Sequence, residues 1–152
     1  MKINYIDYSI ATKSLDIFFS GCRNKCEDCC NPELMDFDNG IDYVQMLPKI
    51  KSYLDDYGTL IENVFLVGGS PNHQDSEDMA TFLEGLHRRY KNKSIYMFCG
   101  EELSQVQPVF KKYCDFIKCG AYIPSLKCDD NYQYGIKLAT ANQKIYKKGE
   151  DY

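Results

Sequence analysis

Three cysteines stand close together in Cys22-Arg23-Asn24-Lys25-Cys26-Glu27-Asp28-Cys29, a C-x3-C-x2-C spacing that follows a short apolar run. Thiolates are soft ligands that suit Zn²⁺ and iron–sulfur clusters. A structural zinc site takes four protein ligands, and three thiols are one short of that. On a four-iron cluster, three thiolates leave one iron free to bind something else. That open iron separates a cluster that does chemistry from one that only carries electrons. Cys30 and His73 are both available as a fourth zinc ligand, although adjacent Cys29 and Cys30 fit poorly on one tetrahedron. Cys30 also leaves the register open, because the third cluster ligand can be Cys29 or Cys30.

A second candidate is the turn Gly68-Gly69-Ser70-Pro71, which follows the apolar run Val64-Phe65-Leu66-Val67. Glycines there let backbone approach a ligand without a side-chain clash; an ordinary strand-to-helix turn would also use them. Cys99, Cys114, Cys119 and Cys128 lack tight spacing and are read mostly as small buried hydrophobes. His87 is assigned to the surface of a helix, and His73 either to an exposed loop or to the site. Asn142 and Gln143 read by themselves as a polar loop.

Bulk composition narrows the classes. A chain of 152 residues, 44% hydrophobic and 26% charged, is most simply one domain, residues 1–152, with a core large enough to need no disulfide staples. Net charge is −4 and the lysines are scattered, so nucleic acid is not an expected partner. No apolar run is long enough to span a bilayer, and Met1 to Ile10 carries no apolar signal region. The expectation is a cytoplasmic protein without a membrane partner, its thiols reduced and serving a metal site.

These motifs need elements to hold them. Ile3–Tyr8 and Leu15–Phe19 read as strands, the second leading straight into Gly21-Cys22 and a loop that runs to about Asn39. Ile41, Val44, Leu47, Ile50 and Leu54 recur at helical steps, with Pro48 expected to kink that helix or start a second one. Val64–Val67 reads as a buried parallel strand. Met79, Phe82, Leu83, Leu86 and Tyr90 mark a helix capped by Asp75 or Ser76. Ile95–Phe98 is a strand, Leu103, Val106, Phe110 and Tyr113 outline a third helix, and Phe116-Ile117 is a brief strand. The remainder to Tyr152 reads as irregular. Alternating strands and helices predict a mainly parallel sheet, with too few strands to close, hence an open partial (β/α) barrel. Ligands on such sheets sit at the carboxyl ends of the strands, which places Gly21-Cys22 and Gly68-Gly69-Ser70-Pro71 on one face.

Gly21-Cys22-x3-Cys26-x2-Cys29-x-Asn31-Pro32-Glu33 resembles the cluster loop of radical S-adenosylmethionine (SAM) enzymes, and most of all their small activating enzymes of glycyl-radical enzymes. Asn31-Pro32 is a feature of the anaerobic ribonucleotide reductase activases within that family. Leu66-Val67-Gly68-Gly69-Ser70-Pro71 resembles the family's Gly-Gly-acid-Pro segment. Phe98-Cys99-Gly100 stands where a Thr-Gly-like pair is expected, and Ala141-Asn142-Gln143-Lys144-Ile145-Tyr146 resembles the Asn-Gln-Arg/Lys segment near the C-terminus. The resemblance spans almost the whole chain. It favours Cys29 as the third ligand and implies a radical SAM type of partial barrel. It further implies a [4Fe–4S] cluster on Cys22, Cys26 and Cys29, with SAM contacts at Asp28, Asn31, Gly68, Gly69, Ser70 and Cys99. No catalytic residue is implied beyond the cluster and SAM. The implied activity is reductive cleavage of SAM to place a glycyl radical on a large partner subunit, anaerobic ribonucleotide reductase, with a one-electron donor such as flavodoxin. Activation of another glycyl-radical enzyme and a non-catalytic iron–sulfur or zinc interaction module are the alternatives. Three departures stand out: Ser70 replaces the acid, Asp28 stands where an aromatic residue or glycine is common, and Cys30 stands where His or Tyr is expected.

Overall fold

The computed structural model describes residues 1–152. Its main sheet has seven strands: β1 (Lys2–Ser9), β2 (Ser14–Phe19), β3 (Ile41–Asp42), β4 (Asn63–Gly68), β5 (Ser94–Phe98), β6 (Phe116–Cys119) and, after a separate two-stranded hairpin of β7 (Tyr132–Gln133) and β8 (Ile136–Lys137), β9 (Lys144–Lys147). The order across the sheet is β3-β1-β2-β4-β5-β6-β9. Its centre, β2-β4-β5-β6, is parallel, and β1, β3 and β9 add antiparallel edges. The fold is therefore mixed α/β, with the expected parallel sheet at its heart and open edges. Helices α1 (Tyr43–Asp56), α2 (Ser76–Arg89) and α3 (Pro108–Tyr113) make the crossovers between parallel strands. None of them is long and apolar enough to cross a membrane.

Alternation along the strands divides the two faces. Leu15, Ile17, Phe19, Val64, Leu66, Ile95, Met97 and Ile117 join the buried residues of all three helices in one core. Full burial of a side chain such as Leu66 contributes about 1.5–3 kcal/mol. A bulge between Ile3 and Tyr5 shifts the register of β1, so that Ile3 and Ile6 both face this core. The opposite face carries an aromatic row: Phe65 against Tyr96 and Phe98, and Tyr96 stacked on Phe116 with centroids 4.3 Å apart. Tyr134, at the tip of the β7–β8 hairpin, extends it to Phe116.

Helix α2 follows its sequence signature, with the Asp75 carboxylate accepting from the amides of Glu77 and Asp78. Three expectations are corrected. The buried stripe of α1 is Tyr43, Met46, Ile50 and Leu54, whereas Val44 and Ile41 are exposed. Ile41 belongs to β3, and the Asp42 cap starts the helix at Tyr43, which rotates the face; Pro48 sits inside one unbroken helix. The third helix is shorter than outlined. Leu103–Gln105 is a separate 3₁₀ turn closed by a Glu102–Gln105 capping box, and Pro108, at the first position of α3, marks the start. The region after Ile117 is also not irregular throughout, since β9 pairs along β6 from Cys119–Lys144 to Phe116–Lys147.

Candidate functional site

Both glycine-led motifs sit past the carboxyl ends of neighbouring strands, Gly21-Cys22 after β2 and Gly69-Ser70 after β4. Gly21 and Gly68 both have φ of +105°, a region open to glycine. The Gly21 amide donates to the Leu34 carbonyl at 2.8 Å and that of Cys22 to Met35 at 3.2 Å, so the cysteine loop leaves the sheet and returns to its own base. The Gly69 amide donates to Phe19 at 2.8 Å and the Ser70 amide to Gly21 at 2.9 Å. A Cβ on Gly69 would lie 2.5 Å from the Leu34 oxygen and 2.6 Å from that of Gly21, which leaves room for glycine alone. The Gln74 side-chain amide reaches the carbonyls of Ser20, Gly21 and Ser70. The two motifs form one hydrogen-bonded junction. Inside it the Ser70 hydroxyl is buried without a partner.

All eight cysteines are free. Cys22 and Cys26 are half-buried, while Cys29 and Cys30 are exposed. The Asn24 amide donates to Cys22 Sγ at 3.4 Å. Asp28, at φ +54°, takes the left-handed conformation that lets the loop turn between Cys26 and Cys29. Burial pushes the Cys22 thiol up, and the nearby charges of Cys26, Glu101 and Cys29 add to it. Burial also raises Cys26, with the charges of Cys29 and Glu101 adding to it and that of Lys118 opposing it. No three His, Cys, Asp or Glu side chains converge on a single point as a lone ion requires. A cluster spreads its thiolates around a larger body, and three free thiols on one loop, mutually within electrostatic reach, are a donor set that fits it.

The remaining expected contacts are spread along this rim. Asn31 is half-buried at the start of the 3₁₀ turn Pro32–Leu34, with its carbonyl accepting from the Leu34 amide. Cys99 is only 6% exposed, its Sγ 3.9 Å from that of Cys119 and 3.9 Å from the Glu101 carbonyl oxygen. His73 is not an exposed loop residue. Its Nδ1 accepts from the Arg23 amide at 2.9 Å, and its Nε2 lies 2.8 Å from Glu101 Oε1. With Nδ1 as the acceptor, Nε2 is the ring nitrogen that donates to the carboxylate. His87 is exposed, as expected. Gln143 is buried, its side chain bonding the amides of Ala139 and Thr140 and the Gly120 carbonyl, while Asn142 bonds the Ala121 carbonyl. The Asn-Gln pair fastens the C-terminal segment to the end of β6.

Two residues escaped the sequence reading. Glu101 Oε1 also accepts from Asn24 Nδ2 at 2.8 Å, while its Oε2 is buried without a partner. Lys118 bonds the carbonyls of Gly120 at 2.8 Å and Cys99 at 3.4 Å, and burial pushes its amine down. Signals existed for both. Glu101 lies just past a strand's carboxyl end, and Lys118 interrupts the apolar strand Phe-Ile-Lys-Cys. The largest cavity, about 870 Å³ between Asp55, Glu62, Arg89 and Lys93, lies at the amino ends of β4 and β5, away from all this chemistry. The carboxyl ends are where a parallel sheet presents its loops to ligands.

A family model described as "4Fe-4S single cluster domain" matches residues 13–145. Among curated proteins, the chain is similar to the "Anaerobic ribonucleoside-triphosphate reductase-activating protein" of Enterobacteria phage T4. The two are 28% identical over 115 residues, which cover 72% of this chain and 71% of the relative. No solved structure matches it significantly.

Proposed function

The chain belongs to the 4Fe-4S single cluster domain family, and from that premise we propose that it is a radical SAM activase, which places a glycyl radical on an anaerobic ribonucleoside-triphosphate reductase. The observation that carries the reading is the junction of the cysteine loop with the Gly68-Gly69-Ser70 turn. It sets a three-thiol donor set and a glycine-lined backbone beside each other at the carboxyl ends of β2 and β4. The target is taken from the phage relative's name.

In this reading residues 1–152 form one radical SAM domain, a partial barrel that works in the cytoplasm. Cys22, Cys26 and Cys29 would hold a [4Fe–4S] cluster and leave one iron open. When bound there, a cluster would supply one-electron reducing chemistry toward the SAM sulfonium, with a donor such as flavodoxin as the source of the electron. The protein binds, orients and excludes water. Gly68 and Gly69 let the end of β2 and the cysteine loop close against this turn, whose backbone would face the methionine end of SAM, and the unpartnered Ser70 hydroxyl is the polar side chain there. Asp28 and Asn31 on the cysteine loop would meet the rest of the molecule. Buried Cys99 would shape the wall beneath it rather than offer an accessible thiol.

Electron paramagnetic resonance of anaerobically reconstituted, dithionite-reduced protein tests this. The expected result is a [4Fe–4S]⁺ signal whose shape changes when SAM is added, followed by a glycyl-radical signal once the reductase is present. A signal indifferent to SAM would leave an electron-transfer or structural cluster, and bound zinc without an iron–sulfur signal would remove the enzyme.

A further inference from the structure

Glu101 lies at the meeting of loops that follow all four parallel strands. Its Oε1 accepts from Asn24 in the loop after β2 and from His73 in the turn after β4. Its own segment follows β5, and its backbone carbonyl accepts from Gly120, just past β6. Through His73 it also reaches the Arg23 amide. Two successive residues of the C-x3-C segment are thus tied to one carboxylate. Asn24 is in turn the residue whose amide bonds the Cys22 sulfur. The approach is tight, since a Cβ on Gly100 would lie 3.0 Å from Asn24 Nδ2.

A purely structural brace would be expected to use both its oxygens. Here Oε2 is buried with no partner, in a side chain only 12% exposed, which is a cost to folding. What the arrangement supplies is a carboxylate fixed one residue away from the Cys22 sulfur, on the side chain of the same Asn24 whose amide bonds that sulfur. A fixed negative charge opposes the arrival of an electron, and net charge and hydrogen bonds to sulfur are what set a cluster's potential. Lys118, whose amine bonds the Cys99 and Gly120 carbonyls, is a second buried ionisable group close by.

We infer that Glu101 is the positioning residue of the cysteine loop and that its charge holds down the reduction potential of the cluster bound there. The second half rests on the cluster reading proposed above, and the first does not. Amide hydrogen exchange on the metal-free protein reads the positioning role. Glu101→Ala should speed exchange at Arg23 and Asn24 by about tenfold or more. Glu101→Gln, which keeps an acceptor for Asn24 and His73, should stay close to wild type. Unchanged exchange in Glu101→Ala would overturn the role. Amides of Leu83 and Leu86 in α2 report whether each variant is folded, and if Glu101→Ala unfolds, Glu101→Asp, whose shorter side chain draws the carboxylate away from Asn24 and His73, with faster exchange at Arg23 and Asn24, carries this arm. Redox titration of the reconstituted cluster reads the charge. Glu101→Gln should raise the potential, and a potential unmoved or lowered would overturn that half. Wild-type protein that binds no cluster would sink the proposed function while the exchange result still stands.

Discussion

The Ser70 amide donates to the Gly21 carbonyl at 2.9 Å, although 49 positions separate the two residues in the chain. This one bond joins the loop that carries the thiols to the turn beside it. Gly21 owes its place to the end of β2, and Ser70 to the end of β4, which lies parallel to β2 with Phe19 opposite Gly68.

Gly69→Ala should break that junction. The new methyl would meet two backbone oxygens at 2.5 and 2.6 Å, and neither can step aside cheaply. A loss of about 1–3 kcal/mol in denaturant melts is expected, together with poorer iron retention after reconstitution. Gly85→Ala is the matched control. Nothing lies within 4 Å of that site on α2, so it should stabilise by up to about 1 kcal/mol. Equal behaviour of the two variants would contradict the packing described for Gly69.

Single alanine replacements of Cys22, Cys26 and Cys29 should each abolish most bound iron and sulfide, while Cys30→Ala should keep both. Iron and acid-labile sulfide per chain are the measurements. If Cys30→Ala loses the cluster and Cys29→Ala retains it, the third ligand is Cys30.

Alkylation of the metal-free protein should divide the thiols by position. Cys29 and Cys30 are exposed and should label first, whereas Cys114 is fully buried and its thiol is pushed up by burial. Mass spectrometry after brief iodoacetamide treatment should find Cys114 unmodified until denaturant is added. Labelling of Cys114 at the rate of Cys29 would refute its placement in the core at the C-terminal end of α3.

Asp16 gives a pH dependence. Its carboxyl is half-buried in β2, and burial raises it above the ordinary value of 3.8, against the bond donated by Ser14. A carboxyl raised on folding holds its proton longer in the native state. Its contribution to stability is therefore fully present below about pH 4 and is lost as pH rises through the raised value. Asp16→Asn should melt higher than wild type at pH 7, and the gap should close on acidification below pH 4. A gap constant across that range would mean that the charge is not its cause.

What could be read from the sequence was whatever a single segment encodes. Val64–Val67 announces a buried strand by its unbroken apolar run, and Asp75 announces the start of α2 by standing before Glu77 and Asp78. The shared end of Gly21-Cys22 and Gly68-Gly69 followed from strand direction alone. Strand β9 was hidden because Lys144-Ile145-Tyr146-Lys147 is held by its pairing with β6, more than twenty residues earlier, and by Gln143 behind it. The face of α1 was misread because Ile41 continues the helical rhythm from within a strand, and the cap at Asp42 starts the helix two positions later. Glu101 was hidden for a different reason. Its partners come from three other segments, and no spacing within one stretch of chain can show a carboxylate that joins them.

The outer edge of β6 has consequences before the fold is finished. Residues 144–147 cover it, and they follow every other strand of the sheet. While the chain is being synthesised, the parallel centre can assemble as soon as Cys119 has emerged, yet one side then offers bare amides and carbonyls to any passing strand. A chain paused between Cys119 and Lys144 thus leaves that edge unpaired, and once the last strand is in place Gln143, bonded to the Gly120 carbonyl, holds its start against the end of β6.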